Sequence, residues 1–127
     1  MSAHDQQYNC AVWFDIPVAD LDRATSFNAN VLAIKFEQQK FVDFSFAVLE
    51  HEEGNGGCLV PEPGDITDKG IMLYLNAEGG LRDAVKKVSE FGGKVSEDID
   101  PIGPHGFRAI VRDSEGNRIV LHSIADA

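Results

Sequence analysis

The sequence predicts an α+β fold of two βαβββ modules, and two features of its order carry that prediction. Each half reads strand, helix, strand, strand, strand, and the linker Pro61-Glu62-Pro63-Gly64-Asp65 divides the halves. A fainter sign is a repeated tripeptide: Glu53-Gly54-Asn55 and Glu115-Gly116-Asn117 each precede the last strand of their half, 62 positions apart. Three successive strands after each helix fit a ferredoxin-like order poorly. The 127 residues are expected to form one domain, 1–127, with module one at about 8–62 and module two at about 66–125.

The opening strand runs from Val12 to Val18, with Val12, Phe14, Ile16 and Val18 on one face and Trp13 and Asp15 on the other. Pro17 near its end suits an edge strand. Asp20 is expected to cap a helix reaching about Leu32, with Leu21, Ala24, Phe27 and Val31 as its apolar stripe. Strands Ile34–Gln38, Phe41–Leu49 and Gly57–Val60 follow, the last two separated by the loop Glu50–Asn55. Beyond the linker come a strand over Ile71–Asn76 and a helix over Leu81–Phe91, whose stripe is Leu81, Ala84, Val85 and Val88. Gly92-Gly93 supplies a left-handed stop. The final strands are Lys94–Glu97, Gly106–Arg112 and Asn117–Ser123, with Asp113-Ser114-Glu115-Gly116 as a short hairpin turn between the last two.

Composition narrows the class. Apolar residues at 43% and charged residues at 25% are ordinary for a globular chain. A formal net charge of −10 repels phosphate backbones and anionic membrane surfaces, so nucleic acid is not an expected partner. No apolar run approaches the roughly 20 residues of a membrane helix, and the first residues lack the pattern of a secretory signal. The two cysteines, Cys10 and Cys58, make no disulfide framework and fit a reducing, cytoplasmic setting.

Two segments carry a family resemblance. Trp13-Phe14-Asp15-Ile16-Pro17-Val18-Ala19-Asp20-Leu21-Asp22-Arg23-Ala24, followed by Phe27 and Val31-Leu32, resembles the opening of vicinal oxygen chelate proteins (the glyoxalase, bleomycin-resistance and extradiol dioxygenase superfamily). Gly92-Gly93 and then Arg112-Asp113-Ser114-Glu115-Gly116-Asn117-Arg118-Ile119-Val120-Leu121 resemble their ending. The resemblance implies mixed sheets curling around one cleft, usually in a homodimer. It also implies, for the enzymes, a divalent metal held by a His or Gln early in each module's first strand and a Glu or related ligand in each last strand. Transferred residue by residue, those positions are Trp13, Cys58, Ile71 and Val120. An indole, one thiol and two aliphatic chains are no ligand set for such an ion, so neither a metal nor another cofactor is expected. Asp15 and His122, two positions along from their quartet positions, are the residues that a displaced site would use.

Strand alternation nominates a cleft face: Trp13 and Asp15 from the first strand; Asp43, Ser45 and Ala47 from the long third strand; Ile71, Leu73 and Leu75 from the fifth; Phe107, Ala109 and Val111; and Arg118, Val120 and His122. On that reading Val42, Phe44, Phe46 and Val48 pack under the first helix and Arg108 faces away. Trp13 and Phe107 are expected as apolar walls, Asp15 and Asp43 as charge partners, and Cys58 as a small filler rather than a nucleophile. His51 is expected in a solvated acidic loop, and His105 in a turn. The function expected is metal-independent binding of a small molecule, sequestering a hydrophobic or cationic compound as bleomycin-resistance members do. The alternative is a glyoxalase-type lyase or isomerase using a displaced metal or an acid–base pair, and a third reading is a closed subunit serving only dimerisation.

Overall fold

A computed structural model describes residues 10–125, so the expected start of module one at about Tyr8 lies outside it. Its eight strands and two helices fall into two four-stranded mixed sheets, one from each half of the chain. The first holds β1 (Asp15–Val18), β2 (Phe36–Phe41), β3 (Phe44–Leu49) and β4 (Cys58–Pro61), in the order β1-β4-β3-β2. The second holds β5 (Leu73–Asn76), β6 (Lys94–Pro101), β7 (Phe107–Arg112) and β8 (Arg118–Ser123), in the order β5-β8-β7-β6. In both, the first strand runs parallel to the last and the other pairs are antiparallel. The parallel pair needs a long crossover, which α1 (Leu21–Leu32) and α2 (Leu81–Glu90) begin. The architecture is the expected α+β pair of βαβββ units, and the sheets are not closed.

Local chemistry sets the helix ends. The Asp20 carboxylate accepts from the Arg23 amide at 3.0 Å, and α1 stops where Ala33 turns left-handed. Ala24, Phe27, Asn28 and Val31 form the buried stripe of α1; Leu81, Ala84 and Val88 form that of α2. Phe27 and Val31 share one core with α2 and with Ala109, Val111, Ile119 and Leu121 of the second sheet. Ile16, Val18, Ala24, Ala47 and Leu59 form the other core, and Phe14 and Leu73 pack against both. Burying Phe27 completely ties α1 to the opposite module, an anchor whose truncation to Ala costs about 3–5 kcal/mol.

Two strand expectations are corrected. The long strand Phe41–Leu49 is instead the end of β2, a two-residue turn at Val42-Asp43, and β3. Val42 takes φ 53 there, a conformation that the turn imposes and a β-branched side chain resists. The face assignment of β3, β5 and β7 also reverses, with Leu73 and Leu75 on the helix side of β5. Ala47, Ala109 and Val111 are fully buried on the helix side, where small side chains let the helices sit close. Phe44, Phe46 and Val48, together with Arg108 and Ile110, therefore belong to the faces turned away from the helices.

Candidate functional site

Between the modules, a pocket of about 620 Å³ lies where the approach to β1 meets the end of β5. Trp13, Tyr74 and Asn76 line it; Phe14, Leu73 and Leu75 add apolar side chains that also meet the core. Leu32 and Ile34, from the end of α1, extend the apolar lining, and Glu50, His51 and Asn55 supply polar groups. This size and this mix of apolar wall with a few polar groups suit a small organic molecule.

Trp13 is positioned from two sides. Its indole lies near the Cys58 thiol, whose ionised form it favours, and its ring meets the His51 ring edge-on at 5.6 Å and 87°. His51 is itself held by its Nδ1 at 2.8 Å from the Gly54 carbonyl. A Cβ at Gly56 would stand 2.4 Å from that imidazole, so only glycine allows the ring to lie there. Asn55 donates to the Ala11 carbonyl and ties the loop to the approach to β1. The acidic loop is exposed at Glu50 and from Glu52 to Asn55, yet its Glu50, His51 and Asn55 also line the pocket, and Trp13 remains 45% exposed beside it.

Beneath Trp13, Cys58 Sγ donates to Asp15 Oδ1 at 3.1 Å. Burial, then the hydrogen bond to the Asp15 carboxylate, pushes the thiol up to about 11, against the opposing pull of the Trp13 indole. The thiol therefore stays protonated near neutrality and is a poor nucleophile or metal ligand.

Several expected cleft residues are not brought together. Asp43 sits in the β2–β3 turn, five positions from Val48, which pairs with Cys58 beside Asp15. At roughly 3.3 Å per strand residue the two carboxylates stand on the order of 15 Å apart or more, so they make no joint cation or acid–base site. Ser45 shares the helix-side face of Ala47, and Phe107 packs against the core that α2 shares with the second sheet instead of walling the pocket. Ile71 is 96% exposed, and it borders only a smaller pocket near Asp15 and Arg118. Leu73 does line the main pocket, from the helix-side register. Val120 is fully buried, and His122 lies half-buried on the open face of β8.

The second module contributes a cluster that sequence reasoning missed. Asn76 pairs with His122, and Arg108 pairs with His122 from the other side, which sets Tyr74, Asn76, Arg108 and His122 on the face away from the helices. Arg108 donates to the Tyr74 hydroxyl, with its guanidinium carbon 6.0 Å from the ring centroid. The Tyr74 and His122 rings meet at 6.0 Å and 62°, and His122 Nε2 lies 2.6 Å from the His105 carbonyl, which it donates to.

A second unforeseen arrangement locks the modules together. The Glu115 carboxylate accepts from the amides of Ala19 and Asp20, each at 2.9 Å, and takes a two-pronged contact from Arg23 at 2.7 and 2.9 Å. Burial alone raises its pKa, but these bonds and that from Ser114 outweigh it and hold the carboxyl at about 2. Asn117 adds a bond to the Pro17 carbonyl at 2.7 Å, while the buried Asp113 accepts from Asn117 and Glu115.

The fold and its pocket define a paired-module α+β protein with a small-molecule-sized site at the module boundary. Its sequence matches the model of the Glyoxalase/Bleomycin resistance protein/Dioxygenase superfamily over residues 11–121. The chain belongs to that superfamily. A glyoxylase-like domain-containing protein of Didymella fabae is 26% identical over 111 residues, spanning 81% of this chain and 84% of its relative. Among solved structures, a hypothetical protein from S. aureus superposes with a TM-score of 0.69 at 17% identity, covering 96% of this chain and 99% of its own. A genomically encoded fosfomycin resistance protein from Listeria monocytogenes gives a TM-score of 0.67 at 12% identity, covering 91% and 93% respectively.

The enzymes' metal can be tested against the side chains at its positions. Sheet register pairs Asp15 with Cys58 and Tyr74 with Val120, so the counterpart of Trp13, two residues before Asp15, is Met72 and not Ile71. The four positions then carry an indole, a protonated thiol, a thioether and an isopropyl group. They do not fit a divalent ion, which needs three or four N, O or thiolate donors. Among the described residues, no group of three or more His, Cys, Asp and Glu side chains is placed to hold one elsewhere. None of the described helices is long and apolar enough to cross a membrane.

Proposed function

We propose that this chain is a metal-independent small-molecule-binding protein of its superfamily, and that its ligand is a largely apolar, planar compound held between Trp13 and Tyr74. The observation that carries this reading is the pocket of about 620 Å³ bordered by the half-exposed Trp13. An indole in the core of the module boundary would be enclosed; this one rests against the His51 ring and presents its remaining surface to open space. Aromatic walls of this kind supply contact area with little loss of side-chain freedom. The separation of Asp15 from Asp43 removes support for a two-carboxylate cage around a cation and for an acid–base pair, so hydrophobic capture is the stronger form of the reading. The fosfomycin resistance protein among the structural neighbours is consistent with small-molecule handling on this fold.

The same reading includes a cytoplasmic homodimer. Phe44 at 48% exposure, with Phe46 and Val48 beside it on the open face of β3, gives pairing an apolar surface to cover. The experiment for the function is a titration of metal-stripped protein with planar apolar compounds, followed by Trp13 fluorescence. Saturable quenching unaffected by EDTA supports binding without metal; dependence on a restored divalent ion refutes it.

A further inference from the structure

Three of the chain's five arginines, Arg108, Arg112 and Arg118, share one face of the second sheet in a protein whose net charge is −10. Two of them are occupied by the linker between modules. Arg112 pairs with Asp68 at 2.9 Å, and Arg118 donates to the Gly70 carbonyl at 2.5 Å. Arg108 differs: among the described residues, its side chain has one hydrogen-bond partner, the neutral Tyr74 hydroxyl, and no carboxylate lies within ion-pairing distance of it. Even Asp100, across from Arg108 in the β6–β7 register, makes no ion pair with it.

The contact with Tyr74 leaves guanidinium donors without a hydrogen-bond partner among the described residues. A guanidinium carries five N–H groups in a planar fork. Because the Tyr74 oxygen accepts from Arg108, the phenolic proton is not used in that contact and can be donated to a ligand. His122 stacks edge-on against Tyr74, and its Nε2 proton is already committed to the His105 carbonyl, so the ring is held in place. Tyr74 is also a wall of the Trp13 pocket, which joins the cluster to that space.

We propose that Arg108 and the Tyr74 hydroxyl form an oxyanion subsite, braced by His122, that receives the carboxylate end of a ligand whose apolar body fills the pocket beside Trp13. A flat carboxylate matches the guanidinium fork in two-pronged fashion, with the phenol as a third donor. The ligand class is thus an aromatic or alicyclic acid. This inference rests on the pocket reading above, and the test separates the two.

The test is calorimetric titration of the full-length protein with 2-naphthoate and with its neutral isostere 2-naphthamide. The acid is expected to bind roughly ten-fold more tightly than the amide, the usual scale of one charge-assisted contact at a partly exposed site. Arg108→Met should abolish that preference by lowering the acid's affinity far more than the amide's, Arg108→Lys should keep part of it, and Tyr74→Phe should reduce it. Equal affinities in the unsubstituted protein, or a preference that survives Arg108→Met, overturn the oxyanion subsite and leave the pocket reading standing. Failure of both compounds to bind overturns the pocket reading, and the subsite with it.

Discussion

Glu115→Gln isolates the clasp between the modules. The carboxylate side chain is fully enclosed, with two backbone amides, Arg23 and Ser114 donating to it, and its pKa falls from 4.5 to about 2. A depressed acid stabilises the fold above its unfolded pKa and loses that contribution as pH falls through the folded value. A drop of this size corresponds to roughly 3 kcal/mol, at about 1.4 kcal/mol per unit. Arg23 is half-exposed, so solvent screens its share and about 2–3 kcal/mol is the better expectation at neutral pH. Glutamine keeps the shape but accepts fewer bonds and carries no charge. Urea denaturation at pH 7 should therefore show the variant less stable by about 2–3 kcal/mol, and the gap should close as pH falls from about 4.5 to about 2. A loss under about 1 kcal/mol at pH 7, or a gap of constant size down to pH 2, refutes the assignment of Glu115 as the charged clasp.

Two other outcomes rest on single positions and a third on assembly. The Cys58 thiol, buried and raised to about 11, should resist a thiol reagent at pH 8 until the protein is unfolded, while the exposed Cys10 reacts promptly; equal rates contradict the thiol geometry. Val42→Gly should stabilise by up to about 1 kcal/mol in denaturant titrations, because it relieves the left-handed strain at a residue 74% exposed; a loss of stability contradicts the turn. Light scattering should give about twice 13.9 kDa at micromolar concentration, and a monomer mass excludes the proposed dimer.

The sequence carried the element order well because helix caps and apolar stripes are local signals. Asp20, the Leu81–Val88 stripe and Gly116 at φ 103 act where their chemistry predicts. The β2–β3 turn escaped because Val42 has no turn propensity; strand pairing, and not the residue, bends the chain there. The face of β3 escaped for a related reason. Alternation finds two sets, Phe44-Phe46-Val48 and Ser45-Ala47, and size suggests that the larger set is core. The packing chooses the smaller, because α1 approaches closely over Ala47. Copying that register into β7 then inverted Arg108 and Phe107 as well. Trp13 was legible from the strand–helix opening, whereas the walls contributed by His51, Asn55 and Tyr74 depend on contacts between residues that are distant in the chain.

The central claim is that the Trp13 pocket binds a small molecule without metal. Its most direct test is calorimetric titration of metal-stripped protein and of Trp13→Ala with the same planar apolar compound, alongside their denaturation curves. A half-exposed indole bordering a cavity should cost only about 2 kcal/mol in stability when truncated, less than the roughly 3–5 kcal/mol of an enclosed aromatic, while binding falls at least ten-fold. Unfolding of Trp13→Ala, or binding that appears only after a divalent metal is restored, would contradict the account.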